Sequence, residues 1–271
     1  MAVGAPAVMS LEMSMEEHVA RGDRGLRTPR ARGITMSASS VLKLLANPIA
    51  KTQTRRILEA PPHGPAPAQW SAWEPGVTAF KPGQFGLYVE GAATGAWGLV
   101  HVARCPWGCR GDQLWVRETW KTEERASDMV DGIRFKSDGT FVPIKSTREA
   151  ADRWVSVNRE GWRTPHFMPK WASRLWLEIT DIRVERLRDI SEEDAIAEGL
   201  SKISKDGGIT WKYGIPDMDG LPGTDDLGMP WADWNVSARV AFQRVWERIH
   251  GTSSRGTNPW CWAISFRRIR P

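Results

Sequence analysis

Residues 175–188 most narrow the folds open to this chain. Leu175, Leu177 and Ile179 fall on alternate positions, and so do Ile182 and Val184, with one change of phase near Thr180-Asp181. Alternation of period two is the pattern of a strand with one buried face. A single phase change inside such a strand predicts a bulge. Further strands are expected over residues 34–37, 52–58, 114–119 and 260–269, with a hairpin in 85–103. Helical signals are fewer. Residues 38–46 read as a short helix stopped by Asn47-Pro48, and Ser191 opens a helix with an acidic first turn that closes at Glu198-Gly199. Residues 236–249 form an amphipathic helix with Ala238, Ala241, Phe242, Val245, Trp246 and Ile249 on its apolar side. With no internal repeat and strands outnumbering helices, the expected class is α+β: a small β-barrel with short flanking helices and long inserted loops.

The chain divides unevenly. Residues 1–33 read as a disordered basic tail, with five arginines between Arg21 and Arg32. Residues 34–271 read as one domain, with inserts near 57–105, 121–160 and 201–235. Residues 59–83 are expected as a loop rich in Pro, Gly and Ala, residues 121–159 as charged and weakly patterned, and residues 201–234 as a long loop.

A formal charge of +5 and a pI near 9.3 favour a polyanionic partner such as nucleic acid. Sixteen tryptophans against two tyrosines provide flat faces that either fill a core or stack on a base. No apolar run approaches the roughly 20 residues needed to span a bilayer, and the N-terminus lacks the apolar segment of a signal peptide. Three cysteines, an odd number, argue against a disulfide framework and fit a reducing cytoplasm.

The chemistry-bearing residues concentrate in Lys51-Thr52-Gln53-Thr54-Arg55-Arg56. The cluster follows a helix end, where side chains converge, although a solvated basic turn has the same composition. In an extended segment Lys51 and Thr54 point to opposite faces, so they share a site only if Lys51 still lies in the turn. Trp115, Arg117, Glu118 and Trp120 suit either a cleft wall or a cross-strand ion pair on a rim. His101, Cys105 and Cys109 supply three metal-ligand types but lack an evident fourth, so no metal is expected. Neither a phosphate-binding glycine loop nor a nucleophile elbow or HExxH helix is present.

Several blocks together resemble the ASCH-domain proteins carried by tailed bacteriophages and prophages. They are Lys51–Arg56 after its short helix, Gly111-Asp-Gln-Leu-Trp-Val-Arg-Glu-Thr-Trp120, Met168-Pro-Lys-Trp-Ala-Ser-Arg174, Asp189-Ile-Ser-Glu-Glu-Asp-Ala-Ile-Ala-Glu-Gly199 and Asn258-Pro-Trp-Cys-Trp-Ala-Ile-Ser-Phe266. The resemblance implies a PUA-like barrel that binds RNA or a modified base in a cleft, in a bacterial host cytoplasm. Within that group, the small bacterial N(4)-acetylcytidine amidohydrolases carry a Lys-x-x-Thr-x-Arg motif and a glutamate late in a short helix. Lys51, Thr54 and Arg56 fall on the motif and Glu198 on the glutamate. Ile49 departs from the glycine usual two residues before the lysine.

The resemblance thus implies hydrolysis of an amide on a modified cytidine. Lys51, Thr54 and Glu198 would be the catalytic set, and no cofactor is needed. Arg55 and Arg56 would bind substrate, and Trp115 or Trp120, beside Arg117 and Glu118, would stack on the base. Two other readings use the same residues: a non-catalytic RNA or modified-base binding module, and a phage accessory protein that binds a host protein through tryptophan-rich loops.

Overall fold

The computed structural model describes residues 28–59, 68–72, 81–90, 96–125, 130–144, 147–225, 227–252 and 254–269. Its strands are β1 (Ala31–Thr35), β2 (Gln53–Ile57), β3 (Ala68–Ala72), β4 (Gln84–Glu90), β5 (Trp97–Arg104), β6 (Gln113–Arg117), β7 (Trp120–Arg125), β8 (Val130–Phe135), β9 (Phe141–Pro143), β10 (Trp176–Arg186), β11 (Ser201–Ile203), β12 (Lys212–Gly214) and β13 (Trp260–Ile269). Its α-helices are α1 (Ala38–Leu45), α2 (Arg148–Val157), α3 (Glu192–Ala197), α4 (Ala238–His250) and α5 (Ser254–Thr257). The chain is a mixed α+β protein, mostly sheet with a few short helices.

A five-stranded sheet in the order β1-β6-β10-β13-β2 organises the molecule. β1 runs parallel to β6, and the other pairs are antiparallel. The longest ladder joins β10 to β13, and its register shifts between Ile179 and Asp181, where the sequence changes phase. Among the described residues this ladder is open, with β1 and β2 as its edges. The side chain of Arg56 spans from β2 to β1, its Nη2 donating to the Thr35 carbonyl at 2.5 Å.

Alternation along the strands divides the interior in two. One sheet face carries Leu114, Val116, Leu177, Ile179, Trp262, Ile264 and Phe266, packed with Val41 and Leu44 of α1. The other face meets α3 and α4, where Leu187, Ile190, Ala195, Phe242, Trp246 and Cys261 cluster. Serines cap all three helices around the sheet: Ser37, Ser191 and Ser237 each accept a first-turn N–H. Glu192 also receives the Ser237 hydroxyl and the Ala238 N–H, both at 2.6 Å, which ties the start of α3 to the start of α4.

The inserts hold more structure than their sequences suggest. Residues 121–159 form the sheet β7-β8-β9 and α2, closed over a third cluster of Trp120, Ile133, Phe135, Met168 and Ala172. Residues 201–234 contain the β11–β12 hairpin. β3 occupies part of the stretch expected as a loop over residues 59–83, of which residues 60–67 and 73–80 lie outside the described residues. β1 starts at Ala31, before the expected domain start at residue 34, and residues 1–27 of the expected tail lie outside the described residues. The buried side of α4 ends at Trp246, and Ile249, expected on that side, is 66% exposed. Among the described residues no helix is long and apolar enough to cross a membrane.

Candidate functional site

β2 begins at Gln53, so Lys51 and Thr52 lie in the turn before it. That turn docks on the end of α3. The Thr52 N–H donates to the Ala197 carbonyl at 2.9 Å, and Lys51 Nζ donates to the Glu198 carbonyl at 2.6 Å. Both carbonyls belong to the last turn of a helix, where backbone acceptors lack intrahelical partners. Lys51 also meets the Glu198 carboxylate, with Nζ 2.8 Å from Oε2. Gly199 makes this approach possible. Its φ is +100°, and a Cβ there would stand 3.3 Å from Lys51 Cβ.

Within β2 the side chains alternate between two environments. Thr54 and Arg56 lie opposite Ile264 and Trp262, both members of the main core. Gln53 and Arg55 point toward α3 and α4. The Arg55 side chain is 0% exposed and is enclosed by acids: Glu185, Asp194 at 3.0 Å and Glu198 at 3.5 Å. Gln53 donates to Asp194 at 3.0 Å and accepts from Arg55 at 2.6 Å. Arg183 donates at 2.7 Å to the other Asp194 oxygen, Oδ2, which Arg55 also holds.

The two sides of β2 differ in how completely their polar atoms are paired. Arg55 is nearly saturated, with only its Nε lacking a partner. On the opposite side, buried Thr54 has no side-chain hydrogen bond among the described residues. Arg56 gives Nη2 to Thr35, while its buried Nε has no partner. An unpaired buried donor is costly, and in a native site it points to a ligand or water.

Burial dominates the electrostatics. It pushes the Lys51 amine below the usual lysine range, and Arg56 and Arg55 push in the same direction while Glu198 opposes them. Arg56 is also lowered, first by burial, with Glu198 opposing. The field of Glu198 therefore reaches Arg56 as well as Lys51. Burial raises Asp194, but Gln53, Arg183 and Arg55 outweigh it and hold the carboxyl below the ordinary aspartate value.

The structure brings Lys51, Glu198 and Arg55 into contact and sets Thr54 beside Arg56 on one strand face. The other four expected residues lie elsewhere. Trp120 is fully buried in the third cluster, with Arg163 5.0 Å over its ring, so it offers no face to a base. Glu118 is buried and paired with Arg174 at 2.9 Å, and Ser137 donates to it at 2.6 Å. This joins the 111–120 and 168–174 blocks through a buried ion pair rather than one exposed on a rim. Trp115 and Arg117 sit together on β6, 5.5 Å apart, and β10 and β13 separate them from β2 within the sheet. Trp115 packs close against Gly33.

Sequence reasoning missed Asp194, Glu185 and Arg183, reading Asp194 only as a helix-start residue. The available signal was spacing: Asp194 and Glu198 are four apart and so share a helix face.

Among the described residues no group of three His, Cys, Asp or Glu side chains is placed to hold a metal ion. Cys105 is buried and its thiol is pushed up to about 11, while Cys109 donates to Asp112. Compared with protein-family models, curated proteins and solved structures, the chain matches none.

Proposed function

We propose that this chain is a PUA-like, ASCH-type protein of the kind carried by phages, and that it hydrolyses the acyl amide of an N(4)-acylated cytidine at a centre formed by Lys51, Thr54 and Glu198. One observation carries the reading. Thr54 presents its hydroxyl and Arg56 an unpartnered buried N–H on one face of β2, and the charge of Arg56 acts on the buried Lys51, whose pKa is lowered. A nucleophile, an oxyanion donor and a base are the three parts that acyl transfer needs.

In this mechanism neutral Lys51 takes the Thr54 proton as the hydroxyl oxygen adds to the acyl carbonyl. Arg56 Nε donates to the oxyanion. Collapse breaks the bond from the carbonyl carbon to N4, and the Lys51 ammonium returns its proton to the leaving nitrogen. Water then hydrolyses the threonyl ester, releasing the carboxylic acid. Glu198 holds the lysine in position through two contacts and sets its proton affinity.

The same pairing supports a second reading. A lysine held 2.8 Å from a carboxylate is stabilised as a cation, which suits a site that only binds a base through its acceptors. Cytidine release from N(4)-acetylcytidine separates the two. The hydrolase reading expects turnover by the unaltered chain and loss of at least a hundredfold in folded Lys51→Ala and Thr54→Ala variants. No turnover by folded protein removes it.

A further inference from the structure

The hairpin β11–β12 starts at Ser201, directly after Glu198 and Gly199, and Lys43 anchors it by donating to the Ser201 hydroxyl. Its two faces each combine aromatic rings with lysines: the register sets Lys202 with Tyr213 on one face and Lys212 on the other. Lys202 lies 5.3 Å from the Trp211 ring and 5.8 Å from Tyr213. Lys205 and Lys212 lie 5.0 Å and 4.8 Å from the Trp231 ring. Among the described residues, none of these three lysines has a carboxylate partner. Asp206, next to Lys205 in sequence, is turned into its own loop by the Ser204 hydroxyl and the Thr210 N–H.

The platform is built firmly. Trp234 is buried, donates to the Met229 carbonyl at 2.9 Å and packs 5.7 Å from Trp231. Its ring lies so close to Gly214 that a Cβ there would be 2.4 Å away. Tyr213 and Asn235 exchange two backbone hydrogen bonds, at 2.7 and 3.1 Å. The result is a fixed ridge with Trp211 46% exposed at its tip.

We infer that this ridge binds a single-stranded polynucleotide that crosses the hairpin, with a base stacked on Trp211 and a phosphate on Lys202 at one face and further phosphates on Lys205 and Lys212 at the other. Exposed tryptophan with unpaired lysines matches the two halves of such a ligand, because bases stack on rings and phosphates seek uncompensated cations. Because the ridge continues the chain from Glu198, the inference extends the proposed site, resting on that reading only in this respect: it makes a cytidine within a strand, rather than a free nucleoside, the substrate. The binding itself stands without hydrolysis.

The test is fluorescence anisotropy with unmodified single-stranded RNA and DNA oligonucleotides and a duplex, across a salt series. It needs no turnover, so failure of the hydrolase reading leaves it intact. The unaltered chain is expected to bind either strand more tightly than duplex. Lys202→Gln/Lys205→Gln/Lys212→Gln should flatten the slope of log affinity against log salt by about 2. Trp211→Ala should weaken binding about five- to a hundredfold with the slope unchanged. Both variants should retain turnover of free N(4)-acetylcytidine if the unaltered chain shows it. Failure of the folded chain to bind either strand, tighter binding of duplex, or folded lysine variants with unchanged affinity and slope would overturn the inference.

Discussion

The Lys51–Glu198 pair should respond asymmetrically to removal of its two halves. Glu198→Gln leaves a cation whose side chain is 4% exposed facing a neutral amide. Breaking a buried pair from one side typically costs about 3–5 kcal/mol. The lower end applies, because Lys51 keeps the Glu198 backbone carbonyl at 2.6 Å and Arg55 keeps Glu185 and Asp194. Lys51→Met instead removes the charge that burial penalises, and Glu198 still faces Arg55 at 3.5 Å. The backbone carbonyl of Glu198 then loses a donor, a loss of about 1 kcal/mol. The expected gap between the variants is about 2 kcal/mol, or roughly thirtyfold in the folding equilibrium. Urea unfolding followed by tryptophan fluorescence measures it. The gap should also depend on pH. Glu198 raises the Lys51 pKa, so Glu198→Gln lowers it further. A lysine with a lowered folded pKa binds fewer protons folded than unfolded, so stability rises with pH from the folded value toward about 10.4. The penalty of Glu198→Gln should therefore shrink in mild alkali. Equal costs for the two variants, or a penalty indifferent to pH, would refute the reasoning.

Three further outcomes are expected. Gly199→Ala should destabilise by about 1–2 kcal/mol, since alanine is strained at a φ of +100° and its methyl crowds Lys51; unfolding midpoints read the loss, and activity should fall although no reacting group has changed. Arg174→Met should cost about 3–5 kcal/mol by leaving buried Glu118 without its arginine, and adding Glu118→Gln should restore much of that loss in a double-mutant cycle. Asp194 is held below its ordinary pKa, so its contribution is present above the unfolded value of about 3.9 and lost as pH falls through the folded value; stability curves of Asp194→Asn and the unaltered chain should differ at neutral pH and converge in acid.

The sheet was legible where one of its faces is buried. Period-two alternation revealed β10 with its bulge and β6, because each packs an apolar face onto the core, while β13 showed as an apolar run after Asn258-Pro259. β7 and β8 escaped notice. Their sequences, Trp120-Lys-Thr-Glu-Glu-Arg125 and Val130-Asp-Gly-Ile-Arg-Phe135, carry charged side chains that pair across the ladder, as Arg134 does with Glu123. Glu123 is held at about 2 by Arg134 and Lys121, a pairing that hydropathy does not register. The contact of Lys51 with Glu198 depended on long-range packing, and only the family resemblance paired them. Trp120 misled because tryptophan composition does not distinguish a stacking face from a core filler. Its neighbours Phe135 and Met168 come from distant segments.

Strand geometry also explains why the Lys-x-x-Thr-x-Arg spacing suits this site. The positions named in the motif put the lysine in the turn and the threonine and arginine on one strand face. The unnamed positions hold the register. Thr52 fixes the turn to the Ala197 carbonyl, and Gln53 and Arg55 bind Asp194, one turn before Glu198 on α3. With both ends of that turn held, Glu198 has little freedom to leave Lys51. Moving the lysine by one residue would exchange these roles, placing cations meant for the acids of α3 against the apolar core. Arg55 and Arg56 are adjacent in sequence yet act on opposite faces. Arg55 secures the helix to the sheet, and Arg56 bridges the open edge between β2 and β1 with its buried Nε–H unpaired. A ligand that accepts from that N–H would use a donor that no contact of the fold employs.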